Sequence, residues 1–235
     1  MQSFDQIQNP QEKRAFIDQE DRNGFIKKVY GILCAQLIIT AEFTLLPYIS
    51  EDVLNFMGNY PQIFVLCLIA VLVSQLVLIC NRKLARTVPV NYYILGIFTI
   101  CESYMVSFIC TMYEPQVVFI AALMTACSVG GLTFYAWTTK EDFTVMRGVM
   151  SFVIAAIFST LILCIFMQQQ MDRTALSFLF VIIFGIYIVI DTQMIMGNNK
   201  YELSSEDYIL GALILYLDII NLFLEILKIL GKKKE

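Results

Sequence analysis

Residues Ile214–Phe223 read ILYLDIINLF, apolar throughout except for Asp218 and Asn221. They lie inside the longer run Tyr208–Leu230, close to the ~20 residues that cross a bilayer core as a helix. A charged aspartate at the centre of such a helix costs on the order of 2.5–3.5 kcal/mol on insertion scales. A carboxylate placed there faces the protein interior, takes a partner, or holds a proton. The partner of Asp218 is therefore the question on which the architecture and the function turn.

Outward from that stretch the pattern repeats. The chain has 235 residues, 58% hydrophobic and 15% charged, with mean hydropathy +0.71. A soluble domain is nearer half apolar and a quarter charged. The apolar residues fall into seven blocks: Val29–Ile49, Pro61–Cys80, Val90–Met112, Gln116–Trp137, Met146–Met167, Thr174–Met196 and Tyr208–Leu230. In hydrocarbon only helices and closed barrels satisfy the backbone, and these blocks are too long and too uniformly apolar for barrel strands. The expectation is an all-α integral membrane protein, a seven-helix bundle without a soluble domain. Residues 1–25 form a short polar cytosolic tail, 26–231 the membrane domain and 232–235 a lysine-rich tail. The N-terminal tail lacks the basic n-region and early apolar core of a cleavable signal. It is expected to be a disordered cap, with the first span directing insertion.

The sequence contains no histidine. That excludes Ser-His-Asp and Cys-His catalysis, HExxH zinc sites and histidine pH switches. The seven cysteines (Cys34, Cys67, Cys80, Cys101, Cys110, Cys127, Cys164) lie in or at the rim of apolar blocks, with no CxxC. They read as small core hydrophobes. Ala122, Ala126 and Gly130 share one helical face, as do Ser151, Ala155 and Ser159. Such stripes let helix backbones approach closely in lipid. Ser204 with Asp207 has the spacing of a capping box at the start of the last helix.

Lys13, Arg14, Arg22, Lys27 and Lys28 precede the first block. Arg82, Lys83 and Arg86 follow the second, Lys140 and Arg147 the fourth, and Lys200 the sixth. The intervening loops carry Arg173 with Glu51, Asp52 and Glu114. The positive-inside rule puts the N-terminus in the cytoplasm. Against that stands the ending GKKKE, which seven crossings place on the far side. Either the last segment dips in and returns, leaving a dilysine-type retrieval signal in the cytosol, or it crosses and the lysines serve solubility. The full length of Tyr208–Leu230 favours a complete span.

The carboxylates inside apolar blocks are Glu42, Glu102, Asp191, Asp218 and Glu225. On the last block Gly211, Asp218, Asn221 and Glu225 share one helical face, which must meet other helices. Asn221 and Glu225 are candidates to line an ion path, while Asn221 also fits interhelical hydrogen bonding and Glu225 snorkelling. At ~1.5 Å rise per residue, Asp191 lies about 9 Å from its end of the sixth helix and Asp218 about 16 Å along the antiparallel seventh. Side-chain reach and tilt can close that gap. If they meet, two carboxylates in a low-dielectric site share one proton and titrate in two separated steps. The charged form attracts a hard cation such as Ca²⁺. Two aspartates are far fewer than the six to eight oxygens of a tight site, so a passage or weak site is expected. Arg82 is the candidate counter-charge, as a bidentate partner for carboxylate.

The segments FIKKVYGILCAQLIIT, IFTICESYM, FYAWTTKEDFT, YIVIDTQMIMG and YELSSEDYILGALILYLDIINLFLEILKILG resemble the transmembrane Bax-inhibitor-motif family, lifeguard branch. The resemblance runs from Phe25 to Gly231, and DTQ and LYLDIINLF are its most specific parts. It implies seven helices with the last one central, and a pH-sensitive Ca²⁺ leak of the endoplasmic reticulum or Golgi tied to suppression of cell death. It also implies an aspartate pair at Asp191 and Asp218, a latch arginine in the NRK stretch at Arg82, and a pathway-lining Glu102. The branch often has a longer Pro-rich N-terminal tail than the one here.

Three functions follow as alternatives. One is a Ca²⁺ leak gated by protonation of the pair. The second is a non-conducting membrane protein that restrains cell death by binding partners. The third, an intramembrane aspartyl protease, lacks the GxGD and PAL segments of that class, and no enzyme is expected. The expected partners are the bilayer, Ca²⁺, protons and apoptosis-regulating membrane proteins, not nucleic acid. No cofactor is expected beyond Ca²⁺ as permeant ion.

Overall fold

A computed structural model describes residues 10–151, 153–154, 157, 173–197 and 199–231, with the backbone alone for 10–18 and 173. Every regular element among the described residues is helical. In chain order these are α1 (Pro10–Ile49), α2 (Glu51–Asn59), α3 (Gln62–Cys80), α4 (Arg82–Arg86), α5 (Val90–Cys110) and α6 (Pro115–Thr138). A short 3₁₀ turn (Phe143–Met146), α7 (Arg173–Met196) and α8 (Tyr208–Leu230) follow. Six of these helices are long and apolar enough to span a membrane among the described residues: α1 from Gln19, then α3, α5, α6, α7 and α8. Most of the expected fifth span lies outside the described residues. So do Ala155 and Ser159 of its small-residue stripe, Cys164, and the lysines of the C-terminal tail.

Local chemistry sets several boundaries. The Asn81 side chain accepts from Leu84 N–H and caps α4. Pro115 opens α6 at the one helical position where a missing N–H costs nothing. Glu51 and Asp52 stand in the first turn of α2, where negative charge complements the helix dipole.

The six long helices differ in how far they are covered. Large side chains on α3 such as Leu66, Ile69, Val73 and Leu76 are exposed, as befits a lipid-facing helix. In α8, by contrast, Ile209, Leu213, Leu215, Tyr216, Leu222 and Leu227 are all buried. That helix packs against α1, α5, α6 and α7.

Two expectations are corrected at the end of the bundle that carries Arg22, Arg86 and Arg147. The N-terminal polar stretch is not a separate tail from Pro10 onward, because it is the first part of α1. Its Arg22 reaches the α7–α8 connection, donating to Leu203 O at 2.8 Å and pairing with Glu202 at 3.1 Å, while Phe25 is buried in the core. The helix α8 starts where expected, but the capping box does not form. Asp207 is its N-cap residue without a side-chain cap bond, and its carboxylate is taken by Arg86 instead.

Gly197 ends α7 with φ +76°. A Cβ there would lie 2.8 Å from Arg22 Nε and 2.9 Å from Glu202 Oε2. Gly197→Ala is therefore expected to lower stability by about 1–2 kcal/mol from the left-handed backbone alone. Thermal unfolding of the purified protein in detergent would read this. An unchanged midpoint would mean the connection adapts without strain.

Candidate functional site

The DTQ segment closes α7, and each of its side chains has a different neighbour. Asp191 is 3% exposed and Asp218, on α8, 9% exposed. Their carboxyl groups lie within hydrogen-bonding reach of each other. Among the described residues Asp191 Oδ1 and Asp218 Oδ2 have no hydrogen-bond partner. An ionised carboxylate only accepts, so a hydrogen bond between the two groups requires one of them to carry a proton. The depth difference estimated from helical rise is thus closed by packing. Thr192 turns the other way and faces Tyr30 of α1. Gln193 is 2% exposed and bonds to the segment that follows α6.

The cation facing the pair is Arg147, not Arg82. Arg147 Nη1 lies 3.5 Å from Asp191 Oδ1, and its guanidinium also contacts Met194 Sδ. The Arg147 side chain is 38% exposed and that of Asp191 4%, so this arginine spans from the surface to a buried carboxyl. Arg82 is the exposed first residue of α4 and forms no ion pair among the described residues. The neighbouring arginine Arg86 is engaged elsewhere. It forms a fork on Asp207, Nε to Oδ1 at 2.7 Å and Nη2 to Oδ2 at 2.9 Å, with Nη1 on Glu206 at 2.7 Å. Hydrogen bonding to Asp207 holds the Arg86 guanidinium above its ordinary pKa. Arg86 therefore anchors the start of α8, and the aspartate pair is left to Arg147.

The remaining expected site residues do not join the pair. Glu102 is half-buried on α5 and is an electrostatic neighbour of Tyr216. Asn221 Nδ2 donates to Leu217 O at 2.8 Å, folding back on its own helix. Glu225 pairs with Lys228 at 2.6 Å, one turn further along. Of the polar stripe on α8, Asp218 is the member that meets Asp191. Glu42 is exposed on α1.

A second polar feature has no counterpart among the expected residues. Gln36 donates to Thr99 at 3.0 Å, and Thr40 meets Ser103 at 2.9 Å and Tyr216 at 2.8 Å. Ser107 donates to Phe43 O at 2.7 Å, and Tyr48 donates to Cys110 O. These bonds form a ladder along α1 and α5 that takes in α8 at Tyr216. Its signal in the sequence is the i,i+4 spacing of Gln36, Thr40 and Thr44 against Thr99, Ser103 and Ser107. Interhelical polar contacts of this kind hold helices together where hydrophobicity does not discriminate protein from lipid. Thr40→Val removes two side-chain bonds at one rung and is expected to cost about 1–2 kcal/mol of stability. The readout is thermal unfolding beside Thr44→Val, whose hydroxyl bonds only its own helix at Thr40 O. Equal losses would contradict the ladder's role.

Among the described residues no group of three or more cysteine, aspartate or glutamate side chains is placed to hold a metal. The aspartate pair offers four oxygens at most, short of a calcium cage. Its geometry is that of two buried carboxyls with a guanidinium on one side.

Comparison with known proteins places the whole assembly. Residues 22–235 match the family model described as "Inhibitor of apoptosis-promoting Bax1". The chain is 31% identical over 221 residues to "Protein lifeguard 3" of Mus musculus, covering 92% of this chain and 71% of the relative. "Protein lifeguard 3" of Homo sapiens matches with the same identity and coverage. "Golgi anti-apoptotic protein" of Vaccinia virus (strain Lister) is 31% identical over 210 residues, covering 89% of this chain and 85% of the relative.

Proposed function

The chain belongs to the Bax1-I family of apoptosis inhibitors, non-enzymatic membrane proteins, and from that premise we propose that it is a pH-sensitive Ca²⁺ leak of endomembranes. The observation that carries this reading is the buried contact of Asp191 with Asp218 under the guanidinium of Arg147. In the closed state ionised Asp191 holds Arg147 over the pair and the path is blocked. When a second proton binds, the ion pair loses its negative partner. The bundle then shifts toward a packing in which Arg147 leaves and cations pass, which is a population shift between two states. Flux rises as pH falls. The proposal includes a seventh span in the chain between α6 and α7, a central position for α8, and residence in the Golgi or endoplasmic reticulum. The name of the viral relative supports that location. Asp191 and Asp218 are the proton site and a weak Ca²⁺ position. Glu102 lines the path further along through its proximity to Tyr216.

The test is Ca²⁺ flux through purified protein in liposomes across a pH series, with Asp191→Asn/Asp218→Asn beside the parent. The double variant is expected to lose the pH response. If its flux and pH profile match the parent, the leak reading is wrong. A non-conducting, partner-binding role is favoured by the name of the viral relative, which speaks of apoptosis and not of ions. Cell-death protection that is unchanged in the double variant, despite its altered flux, would select it.

A further inference from the structure

We infer that Gln193 is a positioning residue: its buried amide holds the segment 141–146 so that Arg147, the residue that follows, is set over Asp191. This rests on the leak reading above for its consequence in flux, but the geometry stands independently. Gln193 Oε1 accepts the Phe143 N–H at 2.8 Å, and Gln193 Nε2 donates to Glu141 O at 2.8 Å. Both ends of one amide thus grip the backbone on either side of Asp142. With a side chain 2% exposed, neither bond is exchanged for water.

A second set of ties fastens the same segment to the α7–α8 connection. Asp142 Oδ1 accepts Thr144 N–H at 3.0 Å, and Asp142 Oδ2 accepts Lys200 N–H at 3.0 Å. Thr144, itself fully buried, accepts Tyr201 N–H at 3.3 Å through Oγ1. Phe143 stacks edge-on against Tyr135 of α6, 5.9 Å between ring centres. Residues 141–146 form a strap sewn to α7 by Gln193 and to the connection by Asp142 and Thr144. Arg147 follows the strap's 3₁₀ turn, with its N–H on Thr144 O. Its long side chain then has one anchored origin from which to reach Asp191. Because residues two apart on a helix face different directions, Asp191 and Gln193 address different neighbours from the same turn of α7.

The strap does not itself titrate near neutrality. The hydrogen bond from Thr144, with that from the Lys200 backbone, holds the Asp142 carboxyl below its ordinary range. A carboxyl whose pKa is depressed by folding contributes fully above its unfolded value, about 3.9, and is lost only as pH falls through the lower folded value. The strap therefore stays fastened from neutral to mildly acid pH, which leaves the pH response of the leak reading to Asp191 and Asp218, the carboxyls that face Arg147, with Tyr30 beside Thr192 on the neighbouring helix.

The experiment combines hydrogen exchange with flux on the full chain in lipid nanodiscs and liposomes. Gln193→Leu keeps volume and removes both bonds. In that variant, exchange at Phe143 in peptides covering 139–147 is expected to accelerate about tenfold or more. Ca²⁺ flux at neutral pH is expected to rise to the level of Arg147→Gln, with the same altered pH profile, and the double variant is expected to rise no further, as for two residues acting through one contact. Gln193→Glu serves as the second variant. It keeps the acceptor for Phe143 but, ionised, loses the donor to Glu141 O, so Phe143 stays protected while flux rises part of the way. Unchanged exchange at Phe143 in Gln193→Leu overturns the positioning role. So does a double variant whose flux is the product of two independent effects. Accelerated exchange with no change of flux in either single variant supports the positioning and overturns the leak reading instead.

Discussion

Arg147→Gln is expected to raise Ca²⁺ flux at neutral pH by roughly 5–30-fold, the ratio that corresponds to about 1–2 kcal/mol. The energy is intermediate because the pair is. An exposed ion pair contributes ~0–1 kcal/mol, and breaking a buried one costs about 3–5 kcal/mol. At 3.5 Å, with one partner 38% and the other 4% exposed, the Arg147–Asp191 pair lies between these limits. Glutamine keeps a polar, neutral side chain on the first three carbons, but it is shorter, loses the guanidinium contact with Met194 and cannot neutralise Asp191. The closed arrangement loses its cation and the open one loses nothing. Arg82→Gln is the control. Because Arg82 is exposed and away from the pair, it is expected to change flux by less than about twofold, as surface substitutions do. A large effect at Arg82 with none at Arg147 would assign the closing cation to α4 and contradict the arrangement described.

Asp218→Asn acts on the other side of the pair. With a neutral amide at 218, Asp191 faces Arg147 without a second carboxyl to compete for a proton. The two-step titration of the pair becomes a single one. Asp191 keeps its ion pair with Arg147, so flux at neutral pH is expected to stay low and its rise on acidification to follow a single titration. Asp191→Asn behaves differently, because it removes the partner of Arg147 outright. Flux in that variant is expected to be high at neutral pH and nearly flat. The contrast between the two asparagine variants separates a proton-sharing pair from two independent structural aspartates, for which both variants would only lower protein yield.

What the sequence reveals of these features, and what it hides, has a physical basis. The spans Thr174–Met196 and Tyr208–Leu230 are bounded by loops rich in charge, glycine and asparagine, so hydropathy alone locates both ends. Asp191 and Asp218 stood out because a carboxylate in a long apolar run is costly, and that cost is local. Arg147 is different. In sequence it is one of several basic residues consistent with a positive-inside loop, and nothing local distinguishes the one that folds inward. Its role depends on the strap, whose bonds join residues 141–144 to 193 and 200–201. The start of α1 is hidden in the sequence for a related reason. Charged residues beyond the bilayer carry no hydropathy signal, and Arg22 is held by Glu202 and the Leu203 carbonyl, far away in the chain. On α8, periodicity finds the shared face but not the partner of each side chain. Asn221 turned back to Leu217 O and Glu225 to Lys228.

The central claim is that Asp191 and Asp218 share a proton in a dry site. Infrared difference spectroscopy of the protein in lipid, titrated through neutral pH, reads protonated carboxyls directly by their C=O stretch. The account predicts a band from a buried protonated carboxyl that persists at neutral pH and changes in two separated steps. Asp218→Asn should reduce the steps to one, and the double asparagine variant should abolish the band. If no protonated carboxyl is seen at neutral pH, or the band is the same in all three proteins, then the two carboxylates are ionised and solvated and the proposed switch does not exist.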